Sequence, residues 1–232
     1  MLITGASSGI GAATARAASR AGARLVLIAR REDRLRTLAD ELPGALVVQG
    51  DVTVDAAIER AVQAAVATYG RIDAVINNAG QGVEVPVDRV DLDDFRAILE
   101  LNLLAPLAVL QAVVPVMRDQ GAGTIVNVSS GATYGAFPGT GPYSATKAAL
   151  SQLGAVARAE LASDGITVST VYPSLTRTDF FASLRGPAQA VGEDLDEAQT
   201  PEEVADVILD LVRSGEAEAD LVPVELGGTY QG

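Results

Sequence analysis

Thr4-Gly5-Ala6-Ser7-Ser8-Gly9-Ile10-Gly11 joins a short apolar run, residues 1–4, to a helix-like segment at residues 9–21. A glycine-rich turn between a strand and a helix offers its backbone N–H groups and the helix N-terminus to a phosphate or pyrophosphate, and the glycines let the backbone approach closely. Three patterns compete for this stretch. The G-x-G-x-x-G fingerprint fails on spacing, because after Gly9 and Gly11 the third position is Thr14. A P-loop fails because no lysine follows; the only one in the chain is Lys147. Gly5 to Gly9 does match the G-x-S-x-G elbow of hydrolases in the right strand-to-helix setting, but the chain has no histidine to complete a triad.

Away from the turn, β-branched apolar runs recur at residues 24–29, 45–49, 74–77, 124–129, 167–172 and 221–224. Helix-like segments lie between them at 32–41, 54–69, 92–119, 143–163 and 201–214. Strands that are apolar on both faces and alternate with helices predict a doubly wound parallel sheet of about seven strands, a three-layer α/β Rossmann-type architecture in one domain over residues 1–232. Asp55 is expected to cap its helix, Thr200 to be an N-cap followed by Pro201 at the first helical position and an acidic first turn of Glu202 and Glu203, and Gly70 and Gly165 to end helices at positive φ. The irregular stretch 179–199 reads as a lid over the carboxyl ends of the strands, where ligands bind in such sheets.

Composition narrows the chemistry further. The 232 residues include no cysteine and no histidine, so there is no Cys-His system, no disulfide and no His/Cys zinc site, and no metal is expected. Thirty acidic against seventeen basic residues give a net charge of -13, which argues against nucleic-acid and membrane partners. The most apolar stretch, 103–117, is shorter than the roughly 18 residues of a membrane span and reads as a buried helix. The chain opens on a strand-like MLIT with no leader pattern, and only three residues precede Thr4, so either its first strand is short or translation starts upstream; the expectation is a cytoplasmic protein.

The T-G-x-x-x-G-x-G turn is followed by four further motifs in order: Asn77-Asn78-Ala79-Gly80 after the fourth strand, Asn102 at the opening of a long helix, Ser129-Ser130 ending the fifth strand, and Tyr143-Ser-Ala-Thr-Lys147. Together they resemble the short-chain dehydrogenase/reductase family over nearly the whole chain. Tyr143 and Lys147 stand at i and i+4, on one helix face. Hydride transfer to a carbonyl needs a proton donor at the oxygen, and a nearby ammonium favours a phenolate; moving tyrosine from its reference pKa of about 10 to near 7 takes about 4 kcal/mol. The resemblance implies that Tyr143 is the acid/base, that Lys147 lowers its pKa and holds the nicotinamide ribose, that Ser130 binds the substrate oxygen, and that Asn102 completes a water-mediated proton relay.

The same resemblance implies a cofactor site formed by Gly5, Ser7, Ser8, Gly9, Ile10 and Gly11, by Asp51 and Val52 near the adenine, by Asn78, Ala79 and Gly80 beside the nicotinamide, and by Pro173 and Thr178. Where NAD-specific members carry Asp this chain has Ala29, followed by Arg30, which points to NADP(H) over NAD(H). Ser174 replaces the family's glycine after Pro173 and is expected to tighten the backbone beneath the lid. The substrate is a small carbonyl compound or secondary alcohol; residues 131–138, with Tyr134 and Phe137, and Phe180, Phe181 and Leu184 are expected around it. Arg177 and Arg185 leave an anionic substrate open. The helices at 92–119 and 143–163 carry excess apolar surface, and a homodimer or homotetramer is expected. Two other readings stand beside the reductase: a non-catalytic NADP(H)-sensing regulator, and an isomerase or dehydratase that uses bound cofactor.

Overall fold

The computed structural model describes residues 1–186 and 198–230. Seven parallel strands form one sheet in the order β3-β2-β1-β4-β5-β6-β7: β1 Leu2–Thr4, β2 Val26–Ala29, β3 Leu46–Gln49, β4 Ala74–Asn77, β5 Gly123–Val128, β6 Ile166–Tyr172 and β7 Glu218–Asp220. The chain winds outward in both directions from β1 and β4, so the strand order reverses between them, and a crevice opens at their carboxyl ends.

Side-chain alternation divides the core into two layers. Ile3, Leu27, Ile76 and Val126 point to one face, where α1 (Gly9–Arg20), α2 (Glu32–Glu41) and α7 (Pro201–Ser214) pack. Leu2, Val26, Ile28, Val75 and Ile125 point to the other, beneath α3 (Asp55–Tyr69), α5 (Ala105–Gln120) and α6 (Gly141–Leu161). Two-sided burial is what the β-branched runs predict, since residues i and i+1 of a strand face opposite layers.

The local signals hold in part. Thr200 is the N-cap of α7, ahead of Pro201 and the acidic first turn of Glu202 and Glu203, and it also forms a reciprocal capping box with Glu203; Gly70 and Gly165 both sit at φ +72. Asp55 does not cap: Val54 is the N-cap of α3 and Asp55 lies within the first turn, where its charge still favours the helix dipole. The seventh strand lies at Glu218–Asp220, before the apolar run at 221–224. As an edge strand it pairs only with β6, so it tolerates polar residues, while Leu221 and Val222 are buried just beyond it.

The long helix is also more than the sequence suggested. α4 (Leu92–Leu99), a π turn (Glu100–Leu104) and α5 run on as 29 helical residues, long and apolar enough to cross a membrane by length and composition. Here Val109, Val113, Val114 and Met117 are buried against the sheet, so the apolar content serves a core helix. Of the expected lid, 179–186 and 198–199 are described and 187–197 lie outside the described residues.

Candidate active site

The glycine turn packs directly on the segment after β4. Thr4 Oγ1 accepts from the backbone N–H of Asn78 and of Ala79, both at 3.0 Å, and Asn78 Nδ2 donates to the Thr4 carbonyl at 2.9 Å and the Gly5 carbonyl at 3.2 Å. Gly5 has φ +66, and a Cβ there would lie 2.8 Å from Ala79 Cα, so only glycine suits both the conformation and the contact. No side chain caps α1, whose N-cap is Ser8, and its first N–H groups face the crevice without such a partner. Thr178 closes over the turn, with its Cγ2 3.0 Å from where a Cβ on Gly9 would stand.

A cavity of about 630 Å³ runs from this turn along the carboxyl ends of the strands. Every residue expected to act in catalysis or to hold the cofactor lines it except Gly11 and Asn102. Gly11 is a packing glycine: a Cβ there would lie 2.5 Å from both the Gly5 carbonyl and Asn78 Nδ2. Asn102 is fully buried behind the wall, in the π turn rather than at a helix start. That turn closes with Ala105 N–H donating to the Glu100 carbonyl, an i to i+5 bond that widens the helix at this point. Asn102 Nδ2 donates to the Gln81 carbonyl at 2.8 Å and Thr146 Oγ1 at 3.0 Å, and its Oδ1 accepts from Gln81 N–H at 3.0 Å. Gly80 lies between two of the expected residues: a Cβ on it would be 3.3 Å from Lys147 Nζ and 3.4 Å from Asn102 Oδ1.

Tyr143 and Lys147 project from the first two turns of α6 into the cavity wall. Lys147 is 4% exposed, donates to the Val128 carbonyl at 2.8 Å and holds its ammonium 5.9 Å from the centre of the Tyr143 ring. Burial lowers its pKa to about 8. The Tyr143 phenol does not move toward neutrality as the sequence suggested. Burial pushes it up to about 12, and the hydrogen bond with Ser130 draws it down by less than burial raises it. The physical reason is desolvation: the phenolate loses more hydration than Ser130 returns. Ser130 also accepts from Ala132 N–H at 3.1 Å, which orients its hydroxyl, whereas Ser129 turns inward to Ser151 and the Lys147 carbonyl.

At the other end, Arg30 is largely exposed and stands 3.9 Å from Asp51. Sequence reasoning singled it out, but Arg31 is the residue on the turn: its guanidinium donates to Ser7 Oγ at 3.0 and 3.2 Å and to Ser8 Oγ at 2.6 Å. Arg34 follows one helical turn on and pairs with Asp179 at 2.9 Å. The serines of the turn and the run of arginines were the signal; which arginine turns inward was not in the spacing.

The substrate end also differs from expectation. Phe137, Phe180 and Phe181 line the cavity, but Tyr134 stacks edge-on against Tyr172 and Leu184 packs beside Gly82. Neither Arg177 nor Arg185 lines it; Arg185 pairs with Asp94 at 2.8 Å and Arg177 reaches the Ala198 carbonyl. Glu84, Val222 and Leu226 line it unanticipated, because loop and carboxy-terminal segments carry no motif. Ser174 donates its N–H to Gln199 Oε1 at 3.1 Å, tying the strand end to the residues before α7.

The family model for short chain dehydrogenase matches residues 1–188. Sulfoacetaldehyde reductase 2 of Chromohalobacter salexigens is 36% identical over 213 residues, 89% of this chain and 84% of that protein. An uncharacterized oxidoreductase of Staphylococcus epidermidis is 35% identical over 76% of this chain and 77% of its own length. Among solved structures, a 3-ketoacyl-(acyl-carrier-protein) reductase from Brucella melitensis complexed with NADH superposes with TM-score 0.86 at 25% identity, covering 95% of each chain. A short-chain dehydrogenase from Sphingobium yanoikuyae in complex with NADPH superposes with TM-score 0.83 at 32% identity, covering 94% of this chain and 86% of the other.

Proposed function

The chain belongs to the short-chain dehydrogenase/reductase family, and from that premise we propose that it is an NADP(H)-dependent oxidoreductase that interconverts a small carbonyl compound and a secondary alcohol, with Tyr143 as the acid/base. The observation that carries this reading is one continuous cavity lined by Ser130, Tyr143 and Lys147 and by the glycine turn. The turn fits a dinucleotide: Gly5 and Gly9 present bare backbone, α1 has no side-chain cap, and two related structures hold NADH or NADPH.

When bound, the cofactor supplies hydride. The chain's own residues do the rest. Ser130 and Tyr143 hold the substrate oxygen, and Tyr143 donates its proton as charge develops there. A phenol with a pKa of about 12 is protonated at neutral pH, which suits the reducing direction. Lys147, with a pKa of about 8, keeps a positive charge beside the ring and stabilises the phenolate left behind. Asn102 holds Gln81 and Thr146 and thereby fixes the wall behind Gly80 and Lys147.

Arg31, clamped on Ser7 and Ser8, supports NADP(H): a 2′-phosphate would meet its guanidinium donors, and the residue that ends β2 is Ala29 and not a carboxylate. Exposed Leu92, Leu104 and Val156 on the long helix and α6 support a homo-oligomer, and the net charge of -13 supports the absence of nucleic-acid partners. The direct test is purified protein with NADPH and with NADH on a panel of ketones and diketones, read as loss of reduced-nicotinamide absorbance. Failure to turn over any of them with cofactor bound overturns the reading.

A further inference from the structure

Among the described residues, five charged ones besides Glu84 line the cavity, and each has a position that accounts for it. Arg30, Arg31 and Asp51 stand at the dinucleotide end, Lys147 is held on the Val128 carbonyl, and Asp179 pairs with Arg34. Glu84 has no hydrogen bond or ion pair from its side chain among the described residues. Phe137, Pro138, Phe180, Phe181 and Leu226 line the same cavity.

Its placement is firm. Val83 and Val85 are 2% and 7% exposed and pack with Ile98 against Tyr143, so by strand-like alternation the residue between them is turned the other way. The backbone is held on both sides: Arg185 N–H donates to the Gly82 carbonyl and Val85 N–H to the Gly139 carbonyl, each at 2.9 Å. A Cβ on Gly139 would lie 3.3 Å from Glu84 Cγ, so the bare glycine leaves the carboxylate its room.

We propose that Glu84 is the specificity residue of the pocket and anchors a protonated amine, so that the substrate is an amino ketone or amino alcohol. This rests on the reductase reading of the same site. A ligand that fills the pocket strips water from the carboxylate. An apolar ligand leaves that charge unpaired, an anionic one repels it, a neutral hydroxyl or amide donor satisfies its hydrogen bonds without neutralising it, and a cation does both. Phe137, Phe180 and Phe181 add ring faces suited to an ammonium. Among the described residues, no arginine lines the substrate end to invert this preference.

Three ketones of matched length, ending in an ammonium, a methyl or a carboxylate, test the assignment with NADPH at neutral pH. The wild type is expected to favour the ammonium ketone over the methyl ketone by about tenfold or more in kcat/KM, with the carboxylate last. Glu84→Gln is expected to bring the first two within about threefold of each other, and Glu84→Lys to reverse the order. Equal kcat/KM for the ammonium and methyl ketones in the wild type, or an unchanged preference in Glu84→Gln, overturns the proposal. Calorimetry of the amino ketone with the NADP⁺-loaded protein separates it from the reductase reading. If no ketone is reduced, the reductase reading fails, yet about tenfold weaker binding to Glu84→Gln still supports the anchor, and equal binding overturns it.

Discussion

Lys147 holds its ammonium 5.9 Å from the centre of the Tyr143 ring while donating to the Val128 carbonyl at 2.8 Å. The only lysine in the chain is thus buried beside the proposed acid, with its position set by a strand end rather than by the phenol. Tyr143→Phe removes the proton donor and keeps the ring. Reduction is expected to fall by about 10²–10⁴ in kcat/KM, with NADPH affinity by fluorescence titration nearly unchanged. Loss of activity together with loss of NADPH binding would count against the role.

The two shifted groups set opposite pH trends. Tyr143, at about 12, is protonated across the neutral range, so reduction should be flat with pH until Lys147 loses its proton near 8. Alcohol oxidation needs the phenolate, whose fraction rises about tenfold per pH unit below the pKa, so oxidation should climb with pH. Initial rates in both directions across buffered pH check this; a reduction rate that peaks sharply below neutrality contradicts it.

Stability gives an independent reading of Lys147. Its folded pKa of about 8 lies below the ordinary 10.5, so between those values the unfolded chain binds more protons and stability from this group rises with pH. Urea unfolding of wild type and Lys147→Met should therefore differ most near pH 7, in favour of Met, with the gap shrinking toward pH 10. A gap that grows with pH would mean that the ammonium is stabilised in the fold.

Arg31→Ala is expected to weaken NADPH binding by about tenfold and NADH binding much less, since a guanidinium–phosphate contact is charge-assisted. Arg30→Ala, at an exposed side chain, should have a smaller effect. Dissociation constants for both cofactors measure the difference, and equal losses for NADPH and NADH would remove Arg31 from cofactor choice.

Asn102→Ala leaves the Gln81 backbone groups and Thr146 without their buried partner. A destabilisation of about 1–3 kcal/mol per unsatisfied group follows, seen as a lower thermal midpoint. Asn102→Asp, which keeps the acceptor for Gln81 N–H and loses the donor, should recover only part of it.

The alternation of apolar runs and helices, the turn at Thr4 to Gly11 and the pair Tyr143–Lys147 are all legible in the sequence alone. Each is a local pattern: strand burial repeats every two residues, helix faces every three or four, and a positive φ calls for glycine. The misplacements have a common cause. The β7 edge strand pairs on one side only and so tolerates polar residues, and Asn102 in the π turn bonds to Gln81 and Thr146, partners far from it in the chain.

The sequence by itself determined the sheet architecture, the family and the order of the motif residues, because those follow from periodicity and short spacing. Only the tertiary structure decided which arginine reaches the serine turn, that Arg185 is occupied by Asp94, that Glu84 faces the pocket, and that burial drives Tyr143 and Lys147 in opposite directions. Those properties depend on distance and solvent exclusion between segments far apart in the chain, and neither quantity is written in the spacing of residues along it.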